Sequence, residues 1–106
     1  MNAQRQIQQT APIPTEQLNE LIIDSIQDLK GKNILKLDLR NLHDAPADFF
    51  IICEGDSDTQ VRAISDNVFE KVYEEQSLKP THVEGRGKAH WVLIDYFDTV
   101  VHVFHP

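Results

Sequence analysis

The sequence predicts an α/β fold: a two-layer sandwich in which a mixed five-stranded sheet carries its helices mainly on one face. Three observations lead there. Segments with helical and strand periodicity follow one another as helix, strand, strand, helix, strand, strand, strand. A capped helix of about five turns stands between the second and third strands, which asks for at least one parallel crossover. The last two strands are joined by the short acidic turn Asp95-Tyr96-Phe97-Asp98 and must therefore run antiparallel. A sheet with both kinds of pairing and two amphipathic helices buries most when the helices share one side.

Met1 to Pro14 is a polar, Gln-rich lead with two prolines, expected to be a mobile arm ahead of a single domain over residues 15–106. Thr15 is placed to cap the first helix, whose apolar positions Leu18, Leu21, Ile22, Ile26 and Leu29 recur at helical spacing until Gly31 stops it. Glu16, Glu20, Asp24, Gln27 and Asp28 form its solvated side. Ile34 to Arg40 alternates, with Leu35, Leu37 and Leu39 on one side and Lys36, Asp38 and Arg40 on the other, as a half-buried strand would. After a loop with Pro46, Phe49 to Cys53 is apolar at every position, which suits a strand in the middle of the sheet.

Ser57-Asp58-Thr59-Gln60 has the form of a capping box and opens the second helix, with Val61, Ile64, Val68 and Val72 inward and Ala63, Phe69 and Tyr73 flanking. Pro80 ends what this helix can reach. Thr81 to Glu84 reads as a short third strand. Gly85 and Gly87 turn the chain into a final hairpin, Ala89 to Tyr96 and Thr99 to Phe104.

Composition narrows the function. A chain of 106 residues with 41% hydrophobic content holds one modest core. A lone Cys53 rules out an internal disulfide, and its apolar setting makes it a small core residue rather than a nucleophile. Without a long apolar run or a signal-like start, a cytoplasmic protein that avoids membranes is expected. The net charge is −7, and the few cations are scattered, so direct nucleic-acid recognition is disfavoured and a basic protein partner fits better.

Neither a catalytic nor a metal site emerges. His102 and His105 are three apart in a strand and point to opposite faces. His43, Asp44 and Asp48 read as loop polarity. Nucleotidyltransferases start a helix much as Gly55-Asp56-Ser57 does here, then place two carboxylates on the next strand for Mg²⁺; Thr81-His82-Val83-Glu84 supplies one. Gly85-Arg86-Gly87-Lys88 lacks the following helix of a phosphate loop. Trp91, Leu93 and Asp95 share one strand face, and His90, Val92, Ile94 and Tyr96 the other. Only one of these faces can meet the helices. The other presents an interface anchor, unless Trp91 is core.

Several segments resemble the ribosomal silencing factors, or Iojap family. They are Asp28 to Ile34, Asp48 to Ser57, Gln60 to Asp66, Glu84-Gly85, Trp91 to Tyr96 and Asp98 to Phe104, in the family's order and spacing between about Leu18 and Phe104. The resemblance implies a nucleotidyltransferase-like sandwich without the catalytic carboxylates, no enzyme activity and no cofactor. It implies a translation repressor that docks on the large ribosomal subunit through its fourteenth protein and sterically blocks joining to the small subunit. It also allows a homodimer. By motif position the docking residues would be Glu84, Gly85, Trp91, Asp95, Tyr96, Asp98 and His102, with Trp91 and Tyr96 filling apolar contact. Two departures stand out: Phe97 occupies a place where the family has glycine, and the sequence ends at Pro106 ahead of the family's closing Arg, Tyr and Leu-Trp segment. The alternative from another class is a divergent nucleotide-binding protein of nucleotidyltransferase type.

Overall fold

A computed structural model describes residues 14–106; the predicted arm up to residue 13 lies outside them. Helix α1 (Thr15–Asp28) is followed by β1 (Lys32–Asp38) and β2 (Phe49–Glu54), then α2 (Asp58–Gln76), β3 (His82–Glu84), β4 (Trp91–Asp95) and β5 (Thr99–Phe104). The strands lie side by side in the order β1-β2-β5-β4-β3. All neighbours are antiparallel except β2 and β5, which run parallel from Phe49↔Thr99 to Glu54↔Phe104. The expected crossover therefore takes a wide form: α2 carries the chain from β2 to the far edge, and the β4–β5 hairpin returns to fill the gap.

Both helices cover the same face. Ile22 and Ile26 of α1 and Val61, Ile64, Val68 and Val72 of α2 are wholly buried against Ile51, Cys53, Val92, Ile94, Val101 and Val103 of the sheet. Burying Cys53 among these side chains pushes its thiol pKa up to about 12 and leaves it an inert core group. Asn19 and Thr99 meet inside this layer, with the Thr99 hydroxyl donating to Asn19 Oδ1 at 2.6 Å and so tying α1 to β5.

Local caps differ in detail from expectation. α1 is capped by Pro14 with no side-chain bond, and the Thr15 hydroxyl instead donates to Asp98 Oδ2 at 3.3 Å. At α2 the Ser57 side chain accepts from the Gln60 amide at 3.1 Å. Gln60 Oε1 reaches back to the Asp56 amide, while Gln60 Nε2 donates to the Leu29 carbonyl at 3.1 Å. One side chain thereby locks the start of α2 to the end of α1.

The largest departure concerns β1. Its register, Leu35↔Ile52 and Leu37↔Phe50, puts the leucines on the face away from the helices, and Leu35 is 50% exposed. Lys36 lies on the helix side instead, pairing with Glu16 of α1 at 3.1 Å and reaching over the Phe49 ring. The period-2 alternation was legible, but an edge strand can pair its charges with a helix end, so alternation alone misassigns the inner side. β2 is likewise covered on one face only: Phe49, Ile51 and Cys53 are buried, whereas Phe50 and Ile52 are partly exposed.

Candidate functional site

The second face of the sheet has no covering element among the described residues, and the register shows which side chains it presents. Successive rows across the strands read Glu54, Phe104, Trp91; then Leu35, Ile52, His102, Leu93, Glu84; then Leu37, Phe50, Val100, Asp95, His82. The middle of this surface is apolar and aromatic, and its carboxylates lie toward the edges. Trp91 is 60% exposed, so it belongs to this face and not to the core. Large aromatics left in water on a flat sheet are the usual mark of an interface.

A groove of about 680 Å³ runs over the face, lined by Phe50, Ile52, His90, Trp91, His102, Phe104 and His105. A second depression beside it shares Phe50 and His102 and adds His82, Glu84, Leu93 and Asp95. His102 thus stands where the two meet. Its Nδ1 accepts the Trp91 indole N–H at 3.1 Å, and its ring meets Phe50 edge-on with centroids 4.9 Å apart. Partial burial holds the His102 pKa below the ordinary imidazole value. At the groove's end, His90 and His105 both bond Asp58 Oδ1, at 2.9 and 3.3 Å, and these bonds depress the Asp58 pKa.

Of the predicted docking residues, the structure brings Glu84, Gly85, Trp91, Asp95 and His102 onto this one face or its margin. Gly85 has a structural reason of its own. Its φ is +82°, and a Cβ there would fall 1.9 Å from the Trp91 carbonyl oxygen, so the β3–β4 turn needs glycine.

Tyr96 does not join the group. It points to the helix side and is 5% exposed, and burial raises its pKa. The expectation that it fills apolar contact with a partner is corrected by the pleat: five positions after Trp91, a strand residue faces the opposite way. Asp98 sits at the hairpin tip, its carboxylate turned toward Thr15 and its carbonyl accepting the amides of Asp48 and Phe49. It lines a small polar depression with Asp95, Phe97 and Pro46, beyond the apolar rows.

The sequence reading missed Phe50, Ile52, Phe104, Leu35 and Leu37, which share the rows of this face with Trp91, Leu93 and His102. For β2 and β1 the signal is the two-sided apolarity of Phe49 to Cys53 and the Leu-x-Leu of Leu35 and Leu37, patterns that a buried strand shows equally. Phe97, singled out by the sequence as standing where the family has glycine, is 75% exposed at the tip with φ +78°. The Asp95 carboxylate accepts the Phe97 amide at 2.7 Å and holds this bend in place of a glycine.

Asp56, Ser57 and Asp58 are fully occupied by structure: Asp56 pairs with Lys32 at 2.9 Å, Ser57 caps α2 and Asp58 holds the two imidazoles. On the following strand Glu84 pairs with His82 at 2.6 Å. Among the described residues no helix is long and apolar enough to cross a membrane.

Comparison with known proteins adds an independent line. The model of the family described as ribosomal silencing factor during starvation matches residues 12–106. The chain is 40% identical over 90 residues to a ribosomal silencing factor from Halalkalibacterium halodurans, covering 85% of this chain and 75% of the relative. A ribosomal silencing factor from Bacillus subtilis is 41% identical over 78 residues, 74% of this chain and 64% of that protein. A crystal structure of a Chromobacterium violaceum protein superposes with TM-score 0.83 at 34% identity, covering 89% of this chain and 77% of that one.

Proposed function

This chain belongs to the family of ribosomal silencing factors, and from that premise we propose that its open sheet face docks on the large ribosomal subunit and sterically blocks joining to the small one. The observation that carries this reading is the uncovered apolar face with Trp91 exposed at its edge and Glu54, Glu84 and Asp95 around it. An apolar centre gives affinity through burial, while acidic margins select a basic partner and speed encounter. The fourteenth protein of the large subunit, at the surface facing the small subunit, is the partner proposed. Repression then needs no bond to be made or broken, because a 106-residue body seated in a joint between two much larger ones is enough to hold them apart. The cytoplasm is the compartment that such a role requires.

The test is sedimentation of purified large and small subunits with increasing protein. Joined ribosomes should give way to free subunits, with the protein travelling in the large-subunit fraction. Unchanged joining at saturating protein overturns the mechanism. A second copy of the chain is a competing occupant of the same face, and co-sedimentation only of self-associated protein would assign the face to a homodimer instead.

A further inference from the structure

We infer that His102 is a positioning residue for Trp91: its neutral imidazole accepts the indole N–H and sets the orientation of the anchor before a partner arrives. The inference rests on the docking role proposed for the open face and names the group that prepares it. Trp91 is 60% exposed, so surrounding side chains do not confine it. Its fixed relation to the sheet comes from one directional bond, Nε1–H to His102 Nδ1 at 3.1 Å, and from ring contact at 5.8 Å between centroids.

This bond dictates the protonation state. Nδ1 must offer a lone pair, so the neutral ring carries its proton on Nε2. Nε2 is buried and has no hydrogen-bond partner, beside the edge-on Phe50 ring. A second proton would set an N–H on Nδ1 against the indole N–H, donor against donor, and place a cation over Phe50 and Ile52. Protonation of His102 therefore releases Trp91. Burial alone keeps the ring neutral to lower pH than a free imidazole.

Other ionisable groups surround the pair. Glu84, Asp95 and His82 line one depression with His102, and His90 and His105 line the other. The last two spend Nδ1 on Asp58 Oδ1, and His82 bonds Glu84, so none competes for the indole.

Because Trp91 is the only tryptophan, its signals report the bond directly. In the free protein, the indole N–H resonance and the Trp91 emission should follow one titration with a midpoint below about pH 6.5, tracking the His102 ring resonance. His102→Gln keeps an acceptor that does not titrate and should abolish the transition; His102→Leu removes the acceptor and should fix the acid-like signal at every pH. Large-subunit binding by wild-type protein should fall by a few-fold, and by less than about ten-fold, from pH 7.5 to 5.5, beyond whatever smaller change His102→Gln shows, which measures the ribosome's own pH response. An indole signal that ignores the His102 titration, or a pH transition that persists unchanged in His102→Gln, overturns the inference. The resonances need no variant to fold. Should they titrate together while large subunits bind at no pH, the docking role falls and the indole–imidazole coupling stands.

Discussion

Ile51 and Ile52 are consecutive on β2, flanked by the same strands, and they live in different solvents. Ile51 is fully buried under both helices, whereas Ile52 forms the floor of an open groove. The same contrast holds along the whole sheet. The covered face is built of β-branched aliphatics that interlock with α1 and α2, while the open one carries Trp91, Phe50, Phe104 and His102 with little packed over them. Apolar character alone therefore does not define this core. What separates stability from recognition is which face the helices cover. Ile51→Ala should cost about 3 kcal/mol, because it loses transfer energy and leaves a cavity that rigid neighbours cannot fill. Ile52→Ala should cost less than about 1 kcal/mol, since the lost atoms were already partly hydrated. Paired urea denaturation curves measure both, and equal costs would erase the distinction between faces.

Trp91→Ala comes next in size and reverses the pattern. If the open face is the docking surface, affinity for large subunits should fall by about 2 kcal/mol, roughly thirty-fold, as for a buried aromatic anchor. Folding stability should change by less than about 1 kcal/mol, because the side chain is mostly in water before binding. A variant that unfolds while wild-type affinity is kept by its folded fraction would move Trp91 into the structural set.

The helices, the hairpin and the inner stripe of α2 were legible because each rests on local rules: helical spacing of Val61, Ile64, Val68 and Val72, a Ser57 cap, strand residues either side of a short turn. The placement of faces was not. For β1 the rule that apolar residues face inward gave the wrong side, since Lys36 finds Glu16 at the helix end and Leu35 remains outside. The same limit separates Trp91 from Tyr96. Both read as anchors by residue type, and only the position of the helices, a non-local fact, sends Tyr96 inward. Family motif position grouped them because a motif follows the chain and not the pleat.

The turn between β4 and β5 offers a smaller effect that again separates structure from contact. Phe97 holds φ +78°, a region that costs a residue with a Cβ about 1 kcal/mol or more. Its ring packs little in return, being 75% exposed. Phe97→Gly should stabilise the fold by about 0.5–1 kcal/mol, raising the melting temperature by a few degrees. If calorimetry shows a loss instead, the ring contributes packing that its exposure hides. A gain in stability with a loss in large-subunit binding would extend the docking surface to the hairpin tip.

The smallest effect is the pH response of stability, and it distinguishes the two faces without cutting either. On the covered side the titratable groups Cys53 and Tyr96 are both pushed upward by burial, so they stay neutral through acid and neutral pH. On the open side His102 is held below its ordinary pKa of 6.5. Between the folded value and 6.5 the unfolded chain binds a proton that the folded chain refuses, so stability rises with pH across that interval. The contribution is complete above pH 6.5 and is lost as pH falls through the folded value. Carboxylates act in a separate, lower window: Asp38, held at about 2 by Arg40, and Asp58, bonded to His90 and His105, add stability above 3.8 that disappears on further acidification. His102→Gln should flatten the urea midpoint between about pH 7 and 5 and leave the steeper fall below pH 4 in place. If wild type and variant lose stability in parallel over the upper window, the sensitivity lies elsewhere on the fold. A flat upper window in the variant alone would tie that pH response of folding to the imidazole that bonds Trp91, and so to the open face.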